Sequence, residues 1–300
     1  MPLHIVHHPD YDAGLPANHR FPMGKYPALI RRLDALGFGR NGHSHNPTPA
    51  PSSWLKLVHA AAYVDQVIAC AVPERIEREI GFPVNERVSR RAQLASGGTV
   101  MAARLALAHG VACNAAGGSH HARREQGAGF CTFNDVAVAA AVLLADGEAR
   151  NILVVDLDVH QGDGTASIFS EDPAVFTLSI HGERNYPVRK AKSDLDIGLP
   201  DGTGDAVYLA ALSEALTDTA ARMSPDIVFY NAGVDPHAED RLGRMAMSDT
   251  GLRARDEMVL GFYRSRRVPV CGVIGGGYSH DIEALAARHA ILFESAAKFA

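Results

Sequence analysis

Residues 151–164 read NILVVDLDVHQGDG, an apolar, β-branched run that passes without a turn into acids, a histidine and glycines. Four further runs share this layout. VACNA (111–115) leads to GGSHH, AVFTLSI (174–180) to HGE, DIVFYN (226–231) to AGVDPH, and VPVCGVI (268–274) to GGGYSHD. Helical stretches at 134–145, 205–223 and 250–265 separate them, as expected of buried parallel strands joined by crossover helices. The expectation is one α/β domain over residues 1–300, with a mainly parallel central sheet and helices on both faces. In open parallel sheets ligands bind outside the carboxyl ends of the strands, so the polar tails of all five runs should share one rim.

Outside that core the pattern is less regular. The first fifty residues read as loop-rich, and NGHSHNPTPAPSS (41–53) as an irregular loop with surface histidines. Apolar and alanine-rich positions recur at helical spacing from Trp54 to about Ala71 and from Ser96 to His109. No internal repeats or low-complexity tracts occur.

Composition narrows the classes of function. Three hundred residues, 47% hydrophobic and 21% charged, can bury a large core. A formal net charge of -5, with arginine pairs scattered at 31–32, 90–91, 123–124 and 266–267, argues against phosphate-driven nucleic-acid binding. Those pairs read as solvated helix faces and loop charges. Cys70, Cys113, Cys131 and Cys271 show neither a CxxC zinc spacing nor a disulfide framework, so reduced thiols are expected. With no signal-like N-terminus and no long apolar run, the expectation is a cytoplasmic protein that binds no membrane.

Asp156, Asp158 and His160 fall at i, i+2 and i+4, which shares one side wherever the backbone stays extended. A carboxylate and an imidazole suit zinc, and a catalytic site wants three protein ligands with one position open. Asp235, after the next central strand, is the natural third beside Asp158 and His160. Two aspartates and a neutral histidine cancel the charge of the ion, so its water is acidified less than in an all-histidine site and needs a base. His120 and His121, behind two glycines, supply one. Asp156 and Asp163 remain to accept the far N–H of each imidazole. Tyr278 offers a phenol to an oxyanion. The GGG before it lacks the spacing of a phosphate loop.

The ordered runs GGSHHARREQGAGFCTFNDVAVAA, DLDVHQGDGT, NAGVDPHAEDRLG and GGGYSHD resemble the zinc-dependent histone deacetylase superfamily over roughly residues 115–285. Weaker similarity in DAGLPANHRFPMGKY extends toward the N-terminus. Gln161 and EDRLG resemble most closely the class IV branch and its bacterial relatives; class I enzymes typically carry a second histidine at the glutamine.

The resemblance implies an arginase-like fold and hydrolysis of N-acyl-lysine, acetyl or longer. It also implies zinc as the resident ion, with Fe2+ admissible, and potassium. His121 would be general base and acid, His120 its electrostatic partner, and Phe130 with Gly129 part of the acyl-lysine tunnel. The inner potassium site would be Asp156, Asp158, His160, Ser179 and Ile180; Phe169 and Val175 match a peripheral second site from which Asp172 departs. GFPVNE (81–86), near the place of the acidic rim residue with which many members grip the substrate backbone, shows no match to it. Other readings are an acylpolyamine amidohydrolase, a binuclear manganese ureohydrolase, whose Asp-Ala-His-x-Asp order is missing, and a silent acyl-lysine binder. Acyl length, physiological substrate and oligomeric state stay open.

Overall fold

The computed structural model describes residues 3–16, 18–38 and 43–300. Its elements in chain order are β1 (His4–Val6), α1 (Lys25–Ala35), β2 (Ser44–His45), α2 (Ser52–Leu55), α3 (Ala61–Ile68), α4 (Glu74–Ile80), α5 (Glu86–His109) and β3 (Val111–Asn114). There follow α6 (Asp135–Ala145), β4 (Ile152–Asp156), α7 (Asp163–Ile168), β5 (Val175–Gly182), β6 (Leu195–Leu199), α8 (Asp205–Arg222), β7 (Ile227–Asn231), α9 (Asp249–Arg264), β8 (Val270–Val273) and α10 (Ile282–Ala296).

Among the described residues one sheet of eight strands, in the order β2-β1-β3-β8-β7-β4-β5-β6, organises the fold, and every pairing in it is parallel. All positions of β3, β4, β7 and β8 are buried, because helices cover both faces. On one face α1 packs on α10, α10 on α9 and α9 on α8; on the other α5 packs on α6. The five strands expected from the sequence are present within about two residues of their expected bounds. The register aligns their ends: Asp156 lies opposite both Asn231 and Ser179, and Val273 opposite both Asn231 and Asn114.

Helix starts follow side-chain caps. Asn85 accepts from Val88 N at 3.0 Å to open α5, Asn134 from Ala137 N at 3.0 Å to open α6, and Asp281 from Ala284 N at 2.9 Å to open α10. The Asn85 cap places the start of α5 ten residues before Ser96, so the helix is longer than expected.

Several expectations need correction. The stretch 54–71 is two short helices, because buried His59 bonds Arg123 O through Nδ1 at 2.8 Å and accepts Asn134 N on Nε2 at 3.0 Å. Ala60 N donates to Arg124 O at 2.7 Å, which completes the break. Within 41–53, of which 41 and 42 lie outside the described residues, Ser44 and His45 form an edge strand. The first fifty residues also hold β1 and α1. Nor are all the paired arginines solvated. Arg91 is buried, donating to Tyr11 O at 2.9 Å and to the Tyr26 hydroxyl, and Arg123 engages Asp163. No helix among the described residues is long and apolar enough to cross a membrane.

Candidate active site

Strand β4 ends at Asp156, and the backbone then bends, so Asp158 and His160 do not share a face by strand alternation as the spacing predicted. Backbone bonds shape the bend instead. Leu157 N donates to Asn231 O at 3.0 Å, Asp158 N to Asp156 Oδ1 at 3.2 Å and Val159 N to Asp235 Oδ1 at 2.8 Å. The turn brings His160 Nδ1 to 3.0 Å from Asp158 Oδ1 and 3.1 Å from Asp235 Oδ2.

Asp158, His160 and Asp235 are buried, and one ligand atom from each lies within 4.8 Å of the others. Gly276 N donates to Asp158 Oδ2 at 2.7 Å. A Cβ on Gly276 would sit 2.3 Å from Asp235 Oδ2 and 2.6 Å from Asp158 Oδ2, so the glycine is required by close approach. The GGG turn is therefore a closely fitted wall of the site.

Electrostatics agree with a cation site. Burial lowers the His160 imidazole, yet its hydrogen bonds to Asp158 and Asp235 outweigh burial and raise it to about 10. Burial and the neighbouring Asp158 charge push Asp235 up to about 7. Two buried carboxylates, each held by backbone N–H groups, and an imidazole fit a divalent ion of the zinc type.

Beside this triad stand two imidazoles. His120 Nδ1 lies 2.7 Å from Asp156 Oδ2, and His121 Nδ1 lies 2.7 Å from Asp163 Oδ1. Their environments push them apart. Burial lowers His120, but Asp156 and Asp158 overcome it and raise the ring to about 9. Burial and the His120 charge lower His121 to about 4 despite Asp163. The glycine loop before them is pinned by Asp135 at the head of α6, which accepts from Ser119 N at 2.8 Å and from Gly118 N at 3.2 Å.

Tyr278 closes the group. Its backbone N donates to Asp240 Oδ2 at 2.7 Å, and its ring stands edge-on to His160 with centroids 6.1 Å apart. Burial first, then the charges of Asp158 and Asp235, raise the phenol well above its ordinary value, so it stays a donor.

Sequence reasoning missed three contributors. Asn231, the last residue of β7, donates to Asp156 Oδ1 at 2.9 Å; its place at the end of a central strand was the available signal. Arg123 holds Asp163 Oδ2 through Nε at 3.0 Å and through a shorter-range Nη2 contact at 2.6 Å. Lys25 is buried and donates to Gly275 O at 3.0 Å behind the triad.

Two cavities meet here. The outer one, about 380 Å³, runs from His121, His160 and Tyr278 past Gly129 and Phe130 to the surface. A much smaller inner one, about 20 Å³, lies among Tyr26, Arg91, Gly117–Ser119, Cys131, His121 and Asp158. Of the other expected residues, Ser179 Oγ lies 2.9 Å from His181 Nδ1, next to Ile180 on β5. Gln161 lines neither of these two cavities. It ties down the segment before β6, donating to Asp196 Oδ1 at 2.7 Å and accepting from Ala191 N at 2.8 Å. Phe169 and Val175 are buried at the far end of the sheet, where Asp172 Oδ1 accepts from Ala174 N at 3.0 Å.

A model of the histone deacetylase domain matches residues 19–293. An uncharacterised protein of Picosynechococcus sp. is 46% identical over 296 residues, covering 99% of both chains. Histone deacetylase 2 of Arabidopsis thaliana is 30% identical over 286 residues, 91% of this chain and 74% of the relative. The solved structure of an HDAC homolog complexed with SAHA is similar at a TM-score of 0.84 and 27% identity, over 98% of this chain and 84% of that one.

Proposed function

Because the chain belongs to the histone deacetylase family, we propose that it is a zinc-dependent amidohydrolase that removes a short acyl group from acylated lysine. The observation that carries this reading is the paired His120–Asp156 and His121–Asp163 contacts, each 2.7 Å, beside a three-ligand metal nest. Asp156 and Asp158 raise His120 while burial lowers His121, so the two imidazoles are biased toward opposite protonation states.

When bound at Asp158, His160 and Asp235, the ion supplies Lewis-acid polarisation of the amide carbonyl and acidifies the attacking water. His121 takes the proton of that water, with Asp163 fixing its tautomer from Nδ1. The Tyr278 hydroxyl donates to the carbonyl oxygen as negative charge develops there. His121 then returns its proton to the leaving amine. Phe130 and Gly129 form the tunnel wall along which the lysine methylenes lie. Potassium would be held by Asp156, Asp158, His160, Ser179 and Ile180, the last three largely through backbone or hydroxyl oxygen, a hard oxygen set.

The inner cavity of about 20 Å³ has room for about one methyl-sized group, and Arg91, held by Tyr11 O and the Tyr26 hydroxyl, lines it. This favours acetyl over the longer acyl groups that the resemblance also admits. A panel of one lysine peptide carrying acetyl, butyryl, octanoyl or myristoyl, assayed with the zinc-loaded protein, tests both points. The expected result is turnover that is highest for acetyl and lost in His121→Ala. Undiminished turnover in that variant removes His121 from the reaction, and a myristoyl optimum refutes the short-acyl pocket.

A further inference from the structure

Arg20, Arg78, Arg184 and Arg244 line the outer cavity toward its mouth, where Glu79 is the one acid among the described residues. In a chain of formal net charge -5 this is a local inversion of sign. Neighbouring acids do not cancel it. Arg78 meets Glu74 at 2.9 Å, while Arg244 and Arg184 share Asp201 at 3.4 and 3.9 Å. Glu79 itself is occupied by Arg75 at 2.9 Å. Exposed Arg20 has no ion-pair partner among the described residues. The cavity wall thus carries four arginines and one glutamate that is already paired with Arg75, and exposed pairs of this kind exchange partners at little cost.

The cations also come from four separate places: the segment before α1, the end of α4, the loop after β5 and the loop before α9. They surround the opening instead of forming a single anion pocket, so they suit several carboxylates spaced along a chain. Resting on the deacylase reading above, we propose that the amine half of the substrate is anionic: an acyl-lysine set in an acidic stretch of polypeptide. A polyamine, whose free ammonium groups would lie among these guanidinium groups, is the substrate class this mouth disfavours.

Three acetyl-lysine peptides of equal length, with glutamate, serine or lysine flanks, test the proposal alongside free acetyl-lysine and acetylspermidine. With the zinc-loaded protein, kcat/KM should rank glutamate over serine over lysine flanks, with about fivefold or more between the first two. The gap should narrow as salt is raised. In Arg20→Glu combined with Arg244→Glu, the ratio of glutamate to serine peptide should fall to one or below. Because that ratio is taken on one preparation, partial loss of folded protein cancels.

Equal rates across the flanks, or acetylspermidine as the best substrate, overturn the proposal. Free acetyl-lysine equalling the glutamate peptide overturns the polypeptide as source. The serine peptide separates the two readings: hydrolysed without flank preference, it leaves the deacylase standing and sinks this inference. If no substrate turns over, the deacylase reading fails, and fluorescence anisotropy of the labelled peptides decides the charge preference by binding alone.

Discussion

At the scale of single residues, the site consists of side chains whose far atoms are fixed by the chain. Tyr278 has its backbone N bound to Asp240 and its phenol kept protonated, which suits the oxyanion-donor role proposed for it. Tyr278→Phe is expected to lower kcat by about 10²–10³ with folding intact, measured on the acetyl-lysine peptide; unchanged turnover would remove the hydroxyl from the reaction. Arg123 acts one step further out. Losing its grip on Asp163 in Arg123→Ala should reduce kcat about tenfold while leaving zinc affinity near its starting value. Gly276→Ala places a methyl against both metal carboxylates, and the expected outcome is a folded chain that no longer retains zinc. The residues that the structure brings together as the acid–histidine triad and the two imidazoles stood out in the sequence because acids and histidines come directly after apolar runs. Asn231 and Arg123 did not, since an amide at a strand end and an arginine in a basic pair carry no such signature.

At the scale of elements, the central strands were legible because burial on both faces leaves continuous apolar runs. The edge strands were not. β2 is Ser44–His45, and β6 (LDIGL) alternates exposed and buried positions. The break between α2 and α3 was hidden for another reason: the alanine-rich spacing is helical, and what interrupts it is a tertiary bond from His59. That histidine is held neutral, its pKa lowered from 6.5 to about 4 by burial against the bond to Arg123 O. The unfolded chain therefore binds a proton that the folded chain refuses between these values, and stability is lost as pH falls through the window. Between pH 7 and 5 the loss from this group should be roughly 2 kcal/mol. Urea unfolding at the two pH values checks it. His59→Gln should show a smaller drop, and an equal drop would assign the pH dependence elsewhere.

At the scale of the whole molecule, the parallel sheet carries five strand ends to one rim, and the register of Asp156 with Asn231 and Ser179 brings residues distant in sequence into one cluster. A buried group of carboxylates so arranged should couple metal binding to folding. With zinc at about 1,000 times its Kd, the folded state gains about 4 kcal/mol, so the unfolding midpoint should rise on adding zinc and return with a chelator. Asp235→Asn should abolish the rise. The most direct measurement of the central claim is a zinc titration of the metal-free chain, followed at once by a competing chromophoric chelator and by hydrolysis of an acetyl-lysine peptide. The account predicts that activity climbs to a plateau at one zinc per chain and that Asp158→Asn, His160→Ala and Asp235→Asn each lose both signals. Full hydrolysis by the stripped chain, or a plateau only at two ions, would contradict it.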